Sequence, residues 1–292
     1  MSPLLCYIRG LMPLVAVVGG GTCSLIRVQY AKDDEPTVTT SRCPKCGFTM
    51  RTRIDENRAT MSTYVLVHGA WHGGWCWDRV RPLLEQRGIR VYTPTLTGLG
   101  DRASLLSSAI GLDTHVDDIL SELERLALRD VVLVGHSYAG VVVTAAANRA
   151  PQRLARVVYL DAVVPRSGRS LLECSGAGFR SHIEEQARSR GDGWKIPVPR
   201  AESLGLFEAS DIDWVMPRLV PHPYRTFCDR VDLLPGAAVP RTYINCIGDQ
   251  PRGGTRSAQA AGIDDYHELG TGHDAMVTAP RELAQLLLSC AR

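Results

Sequence analysis

The pattern of apolar and polar positions divides the chain near Met61. Beyond it, short runs of consecutive apolar residues alternate with stretches whose apolar positions recur every three or four residues. The first pattern marks strands buried on both faces and the second marks helices packed on one face. Residues 64–67 open the series as a strand, followed by a glycine-rich turn and a helix over 76–86. Residues 89–93 form the next strand, ended by Pro94, and 114–126 a helix with Thr114 as N-cap and Asp117 three places on. Then come strand 131–134, helix 138–149, strand 157–160, strands over 241–247 and 266–269, and a closing helix 280–290 with Pro280 in its first turn. This alternation predicts an α/β fold, a mostly parallel sheet flanked by helices.

Two stretches break the rhythm. Residues 164–239 hold glycine- and proline-rich segments, a helical piece near 181–190 and the apolar cluster Trp214-Val215-Met216. Some 75 residues exceed a plain crossover, so they are read as a lid inserted between strands, over the carbonyl end of the sheet. Residues 1–61 carry no sustained period and are expected to be a poorly structured extension ahead of a folded domain at 62–292.

Composition narrows the classes. The net charge of +2 comes from 33 basic and 31 acidic residues mixed along the chain, which leaves no continuous positive face for nucleic acid. The run at 11–18 contains Pro13 and is too short to span a bilayer, so no membrane partner is expected. Nine scattered cysteines, odd in number, fit reduced thiols in the cytoplasm better than a disulfide framework. Cys43 and Cys46 are spaced as half a zinc knuckle, but Cys6 and Cys23 are badly placed for the other half, and no metal is expected.

The chemistry concentrates in three places. Strand 131–134 runs into Gly135-His136-Ser137-Tyr138-Ala139-Gly140 with a helix directly behind, the setting in which a serine hydroxyl is raised above a sheet as a nucleophile. Ala139 stands where the motif usually has its second glycine. After the first strand, His68-Gly69-Ala70-Trp71-His72-Gly73-Gly74 lets main chain approach that serine, and the N–H groups of Ala70 and Tyr138 are the expected oxyanion donors. His68 is read as a structural hydrogen-bonding residue under this turn, since a metal pair would need a third ligand; His72 is read at the entrance. His273, in a glycine-flanked loop after the last strand, is the expected base. For the acid, Asp249 after strand 241–247 is preferred and Asp161 after strand 157–160 is the alternative; Asp274 is taken as a loop residue.

These motifs resemble those of the branch of α/β hydrolases that contains plant methylesterases, plant hydroxynitrile lyases and bacterial carboxylesterases, including pyrethroid-type hydrolases. The likeness rests on residues 64–77, on Thr95-Leu96-Thr97-Gly98-Leu99-Gly100-Asp101-Arg102, on the serine motif, on 159–165 and on 272–283. It implies the α/β-hydrolase fold, with Ser137 as nucleophile, Asp249 as acid, His273 as base and Ala70 and Tyr138 as oxyanion donors. It also separates two chemistries, because the lyases carry threonine where Gly69 stands and lysine where Asp274 follows the base. A carboxylate beside the base would repel cyanide, so hydrolysis of a small to medium, fairly apolar ester is expected, without a cofactor. A hydroxynitrile lyase and a non-catalytic ligand receptor on the same scaffold are the alternatives, and a homodimer is left open.

Overall fold

The structure, a computed structural model, describes residues 38–42, 49–53, 62–236, 239–248 and 262–290. The chain divides into two compact units, Met1–Thr60 and Met61–Arg292. In the first, β1 (Val38–Arg42) pairs antiparallel with β2 (Thr49–Arg53), a ladder that the sequence pattern did not announce. Cys43 and Cys46 lie outside the described residues.

The second unit is built on six strands: β3 (Thr63–Val67), β4 (Arg90–Tyr92), β5 (Val131–His136), β6 (Leu154–Leu160), β11 (Arg241–Cys246) and β12 (Asp265–Leu269). They stand side by side in the order β12-β11-β6-β5-β3-β4, every pair parallel. β3 and β5 at the centre are buried along their whole length, as their unbroken apolar runs require, and each wholly buried Val or Leu contributes about 1.5–3 kcal/mol. The chain leaves β3 for β4 on one side and returns to β5 on the other. Strand order therefore reverses between β3 and β5, and the crevice at their carboxyl ends is where open α/β sheets take ligands.

Helices cover the sheet. The region expected as one helix at 76–86 is a 3-10 turn over Gly74–Trp77 and then α1 (Arg81–Glu85), because Pro82 suits a new first turn and not a helix interior. In α2 (Leu112–Arg125) the buried residues Leu112, His115, Val116, Ile119 and Leu123 follow the helical repeat. Its N-cap is Gly111, whose N–H donates to Thr114 Oγ1 at 3.3 Å, so Thr114 acts from the third helical position instead of capping. α3 (Ala139–Arg149) follows β5, and Pro280–Ser289 closes the described chain.

Between β6 and β11 lie the strands β7 (Arg169–Ser170), β8 (Lys195–Ile196), β9 (His222–Pro223) and β10 (Arg230–Val231), each of two residues, with the short helices α4 (Leu171–Cys174), α6 (Ala209–Val215) and α7 (Arg225–Cys228) and the longer α5 (Ala177–Arg190), which contains the helical piece expected at 181–190. β8 pairs with β9 and β7 with β10, both antiparallel. This segment, expected as a lid, is tied to the loops above the sheet. Trp71 Nε1 donates to Ile196 O at 3.2 Å, Arg79 meets Asp211 at 2.7 Å, and Asp274 N–H donates to Leu204 O at 3.0 Å. Gly205 packs backbone to backbone on the loop after β12, where a Cβ would fall 2.7 Å from Gly272 Cα, and its φ of +74° suits glycine.

Candidate active site

β5 ends at His136 and the chain turns through Ser137 into α3. Ser137 has φ +54°, a left-handed backbone that costs an L-residue about 1–2 kcal/mol. Hydrogen bonds on both sides hold it there: Ser137 N–H donates to Leu160 O at 3.1 Å, and Val163 N–H donates to Ser137 O at 3.2 Å. A Cβ at Gly140 would stand 2.3 Å from Val163 O, so glycine is required at 140. The sequence motif places that demand one residue earlier, yet Ala139 is buried without conflict.

The last-strand loop brings His273 over this turn. Its Nε2 lies 2.8 Å from Ser137 Oγ and its Nδ1 2.5 Å from Asp161 Oδ2. Nδ1–H donates to the carboxylate, which leaves the Nε2 lone pair facing the serine hydroxyl, the arrangement that lets an imidazole take the serine proton. The carboxylate in this line is Asp161, the alternative of the sequence reading; Asp249, the preferred one, lies outside the described residues. Asp161 is delivered by its neighbours, since Leu160 O and Val163 N–H on either side of it both bond the backbone of Ser137. Its own φ of +42° turns the chain sharply at the end of β6.

Ala70 and Tyr138 are both buried at the ends of adjacent strands, after β3 and β5. Among the described residues neither N–H donates to a backbone carbonyl, so both are available to a developing oxyanion. Tyr138 is anchored at its far end, where its hydroxyl donates to His115 Nδ1 at 2.8 Å while His115 Nε2–H donates to Thr97 O at 2.9 Å.

Five further histidines surround the turn, all buried. His68 Nε2 accepts Leu96 N–H at 3.0 Å, so the proton sits on Nδ1, which donates to Gly69 O at 2.8 Å; this is the structural role expected of it. His136 Nε2–H donates to the His273 carbonyl at 3.0 Å. Burial holds both rings neutral, with pKa values brought down to about 3. His115 is likewise brought down to about 4 by burial, and His222 well below its ordinary value. His72 is different. It does not line an entrance, as the sequence reading has it, but is sealed inside with Nε2 3.0 Å from Asp274 Oδ2 and Nδ1 2.7 Å from Ala70 O. Burial alone would lower its pKa, but the Asp274 charge and these hydrogen bonds outweigh burial and raise it, while the same pairing lowers that of Asp274. Asp274 is therefore no plain loop residue, and its charge is balanced within the protein.

A cavity of about 280 Å³ opens on the His273 and Asp161 side, with Phe207, Glu208 and Cys246 in its walls. Among the described residues no group of His, Cys, Asp or Glu side chains is arranged to hold a metal ion, and no helix is long and apolar enough to cross a membrane.

The geometry has counterparts in known proteins. The sequence profile of the alpha/beta hydrolase family matches residues 64–286. The chain belongs to that family. The hydrolase is 38% identical over 240 residues to the carbendazim hydrolyzing esterase of Nocardioides sp. (strain SG-4G), a match covering 78% of this chain and 98% of the relative. It is 27% identical over 252 residues to Methylesterase 1 of Arabidopsis thaliana, covering 78% and 95%. An extracellular alpha/beta-hydrolase from a Paenibacillus species shares the fold with a TM-score of 0.71 at 22% identity, over 79% of this chain and 99% of that one. Relatives of this kind, plant methylesterases and bacterial esterases, class the hydrolase as a carboxylic ester hydrolase.

Proposed function

We propose that this hydrolase is a serine esterase that cleaves small to medium, fairly apolar carboxylic esters through an acyl-enzyme. The observation that carries the reading is the unbroken line from Asp161 Oδ2 through both nitrogens of His273 to Ser137 Oγ. Ser137 attacks the ester carbon as His273 Nε2 takes its proton, and the Ala70 and Tyr138 N–H groups receive the oxyanion. His273 then gives that proton from Nε2 to the leaving alcohol. Water repeats the sequence and frees the acid, and Asp161 holds the imidazole tautomer throughout. Carbendazim, the compound for which the Nocardioides relative is named, belongs among the first substrates to offer.

Hydrolysis is favoured over cyanohydrin cleavage on steric grounds. A Cβ at Gly69 would stand 2.8 Å from His136 Nδ1 and 3.1 Å from Ser137 Cβ, which leaves no room for the threonine that the lyases carry there. The electrostatic argument from Asp274 drops out, because that carboxylate is paired with His72.

The test is Ser137→Ala. Turnover of 4-nitrophenyl acetate and butyrate is expected to fall by about 10⁴-fold or more, and a fluorophosphonate probe to label the parent at Ser137 alone. Equal rates in the two proteins, or labelling elsewhere, would sink the proposal.

A further inference from the structure

We infer that His72 and Asp274 are positioning residues, a buried imidazolium–carboxylate pair that sets the Ala70 N–H against the His273 imidazole. The inference rests on the serine-esterase reading and adds to it the device that keeps the two halves of the site in register.

With the Asp274 carboxylate ionised, each ring nitrogen of His72 faces an acceptor, Ala70 O at 2.7 Å and Asp274 Oδ2 at 3.0 Å, so both donate and the ring is a cation. Both side chains are sealed off, 1% and 0% exposed. A buried ion pair is a poor way to stabilise a fold, since apolar residues of the same volume do as well or better. Asp274 is not even fully used: among the described residues its Oδ1 has no hydrogen-bond partner, and His136 Nε2 stands 3.9 Å away. What the pair does is join two loops. One end grips the carbonyl of the residue whose N–H is the oxyanion donor, and the other belongs to the residue that follows the base.

Ala70 is gripped from both sides, and the His72 side is the one that leads to the base. The peptide that carries the Ala70 N–H is held at its oxygen by His68 Nδ1–H on Gly69 O at 2.8 Å, and the next peptide is held at its oxygen by His72, so the Ala70 φ and ψ between them are set by the two rings together. Trp71 then takes the left-handed φ of +67°, an unfavourable one for a bulky residue, and the lid holds it there. Trp71 N–H faces His222 Nδ1 at 3.5 Å, its carbonyl accepts Val220 N–H at 3.0 Å, and its indole N–H reaches Ile196 O. On the base side, His136 holds the His273 carbonyl and Leu204 O holds Asp274 N–H. Each loop is held by its own set of neighbours, and the His72–Asp274 pair runs from one to the other.

An oxyanion donor acts mainly on the transition state, so loss of the tie should lower kcat and spare KM. The experiment compares Asp274→Asn and the double variant His72→Leu/Asp274→Leu with the parent, using 4-nitrophenyl butyrate and a trifluoromethyl ketone as tetrahedral analogue. The double variant keeps an apolar pair in place of the ionic one, so that folding survives, which circular dichroism and a melting curve check. Expected are a fall in kcat of about 10²-fold in the double variant and about 10-fold in Asp274→Asn, KM within about twofold, and analogue affinity weakened by the same factors as kcat. A folded double variant with kcat within threefold of the parent, or with KM rising as far as kcat falls, overturns the inference. Failure of the serine reading shows separately, as a parent protein that a fluorophosphonate does not label at Ser137.

Discussion

Asp161→Asn is the sharpest probe of the proposed relay. The exchange keeps the shape of the side chain and removes its charge, 2.5 Å from His273 Nδ1. Both side chains are shielded, at 11% and 3% exposure, so solvent screens the pair little. Two unit charges at ~4 Å in an effective dielectric of about 20 attract by about 4 kcal/mol, which is the stabilisation lost by the imidazolium that forms as serine attacks. That corresponds to about 10³-fold in rate. The amide can also turn its NH₂ toward Nδ1 and favour the tautomer whose proton blocks Ser137, which carries the expected loss toward 10⁴-fold. Asp249→Asn is the matched control, expected to stay within about threefold because the structure gives the place at Nδ1 to Asp161. The assay is steady-state hydrolysis of 4-nitrophenyl butyrate, with melting curves to show that both variants fold. A large loss in Asp249→Asn and none in Asp161→Asn would refute the assignment and restore Asp249 as the acid.

Two further outcomes follow from burial. His68, His115 and His136 are neutral in the fold with pKa values of about 3 to 4, whereas unfolding returns them to about 6.5, so between pH 6.5 and 4 the unfolded chain binds the extra protons. Stability should therefore fall with pH across that window by about 1.4 kcal/mol per unit per ring, or on the order of 5 kcal/mol from pH 7 to 5, and urea midpoints that stay level over this range would contradict the tautomers assigned here. At the serine turn, Gly140→Val should destabilise by about 3 kcal/mol through the clash with Val163 O, whereas Ala139→Gly should lose only about 0.5–1 kcal/mol and keep its activity. Thermal melts of the two variants check the contrast, and the reverse order would show the steric demand to lie at residue 139.

The parts of this molecule readable in its sequence are those with a local signature. Continuous apolar runs such as Val131-Val132-Leu133-Val134 can only be central strands of a covered sheet, and a serine between such a run and a helix has one sharp turn to occupy. The acid was not readable in the same way. Asp161 and Asp249 each follow a strand and each could face a histidine from the last loop, and what distinguishes Asp161 is a pair of backbone bonds from its neighbours to Ser137, which leave no trace in residue type. The lid resisted for another reason. Apart from α5, part of which shows as the helical piece at 181–190, its strands of two residues and helices of four to seven are too short to show a period, so the rest of 169–231 could be bounded but not resolved into elements.

The histidines around the site show why residue type alone misleads here. A histidine in an apolar segment offers either a donor or an acceptor at each nitrogen, and only the partners decide. Around Ser137 those partners are fixed in advance: a backbone N–H makes His68 a donor to Gly69, and a threonine carbonyl makes His115 an acceptor for Tyr138. An oxyanion hole made of main chain cannot adjust by rotating a side chain, so its geometry has to come from whatever grips the flanking peptides. Imidazoles suit that task because they are rigid and reach the backbone at short range, and in their neutral form they add no charge to the interior. His72 is the exception that carries charge, because one of its two acceptors is the Asp274 carboxylate. The neutral rings of His68 and His115 also bridge two segments, but the ionic one runs from the loop of the oxyanion donor to the residue that follows the base.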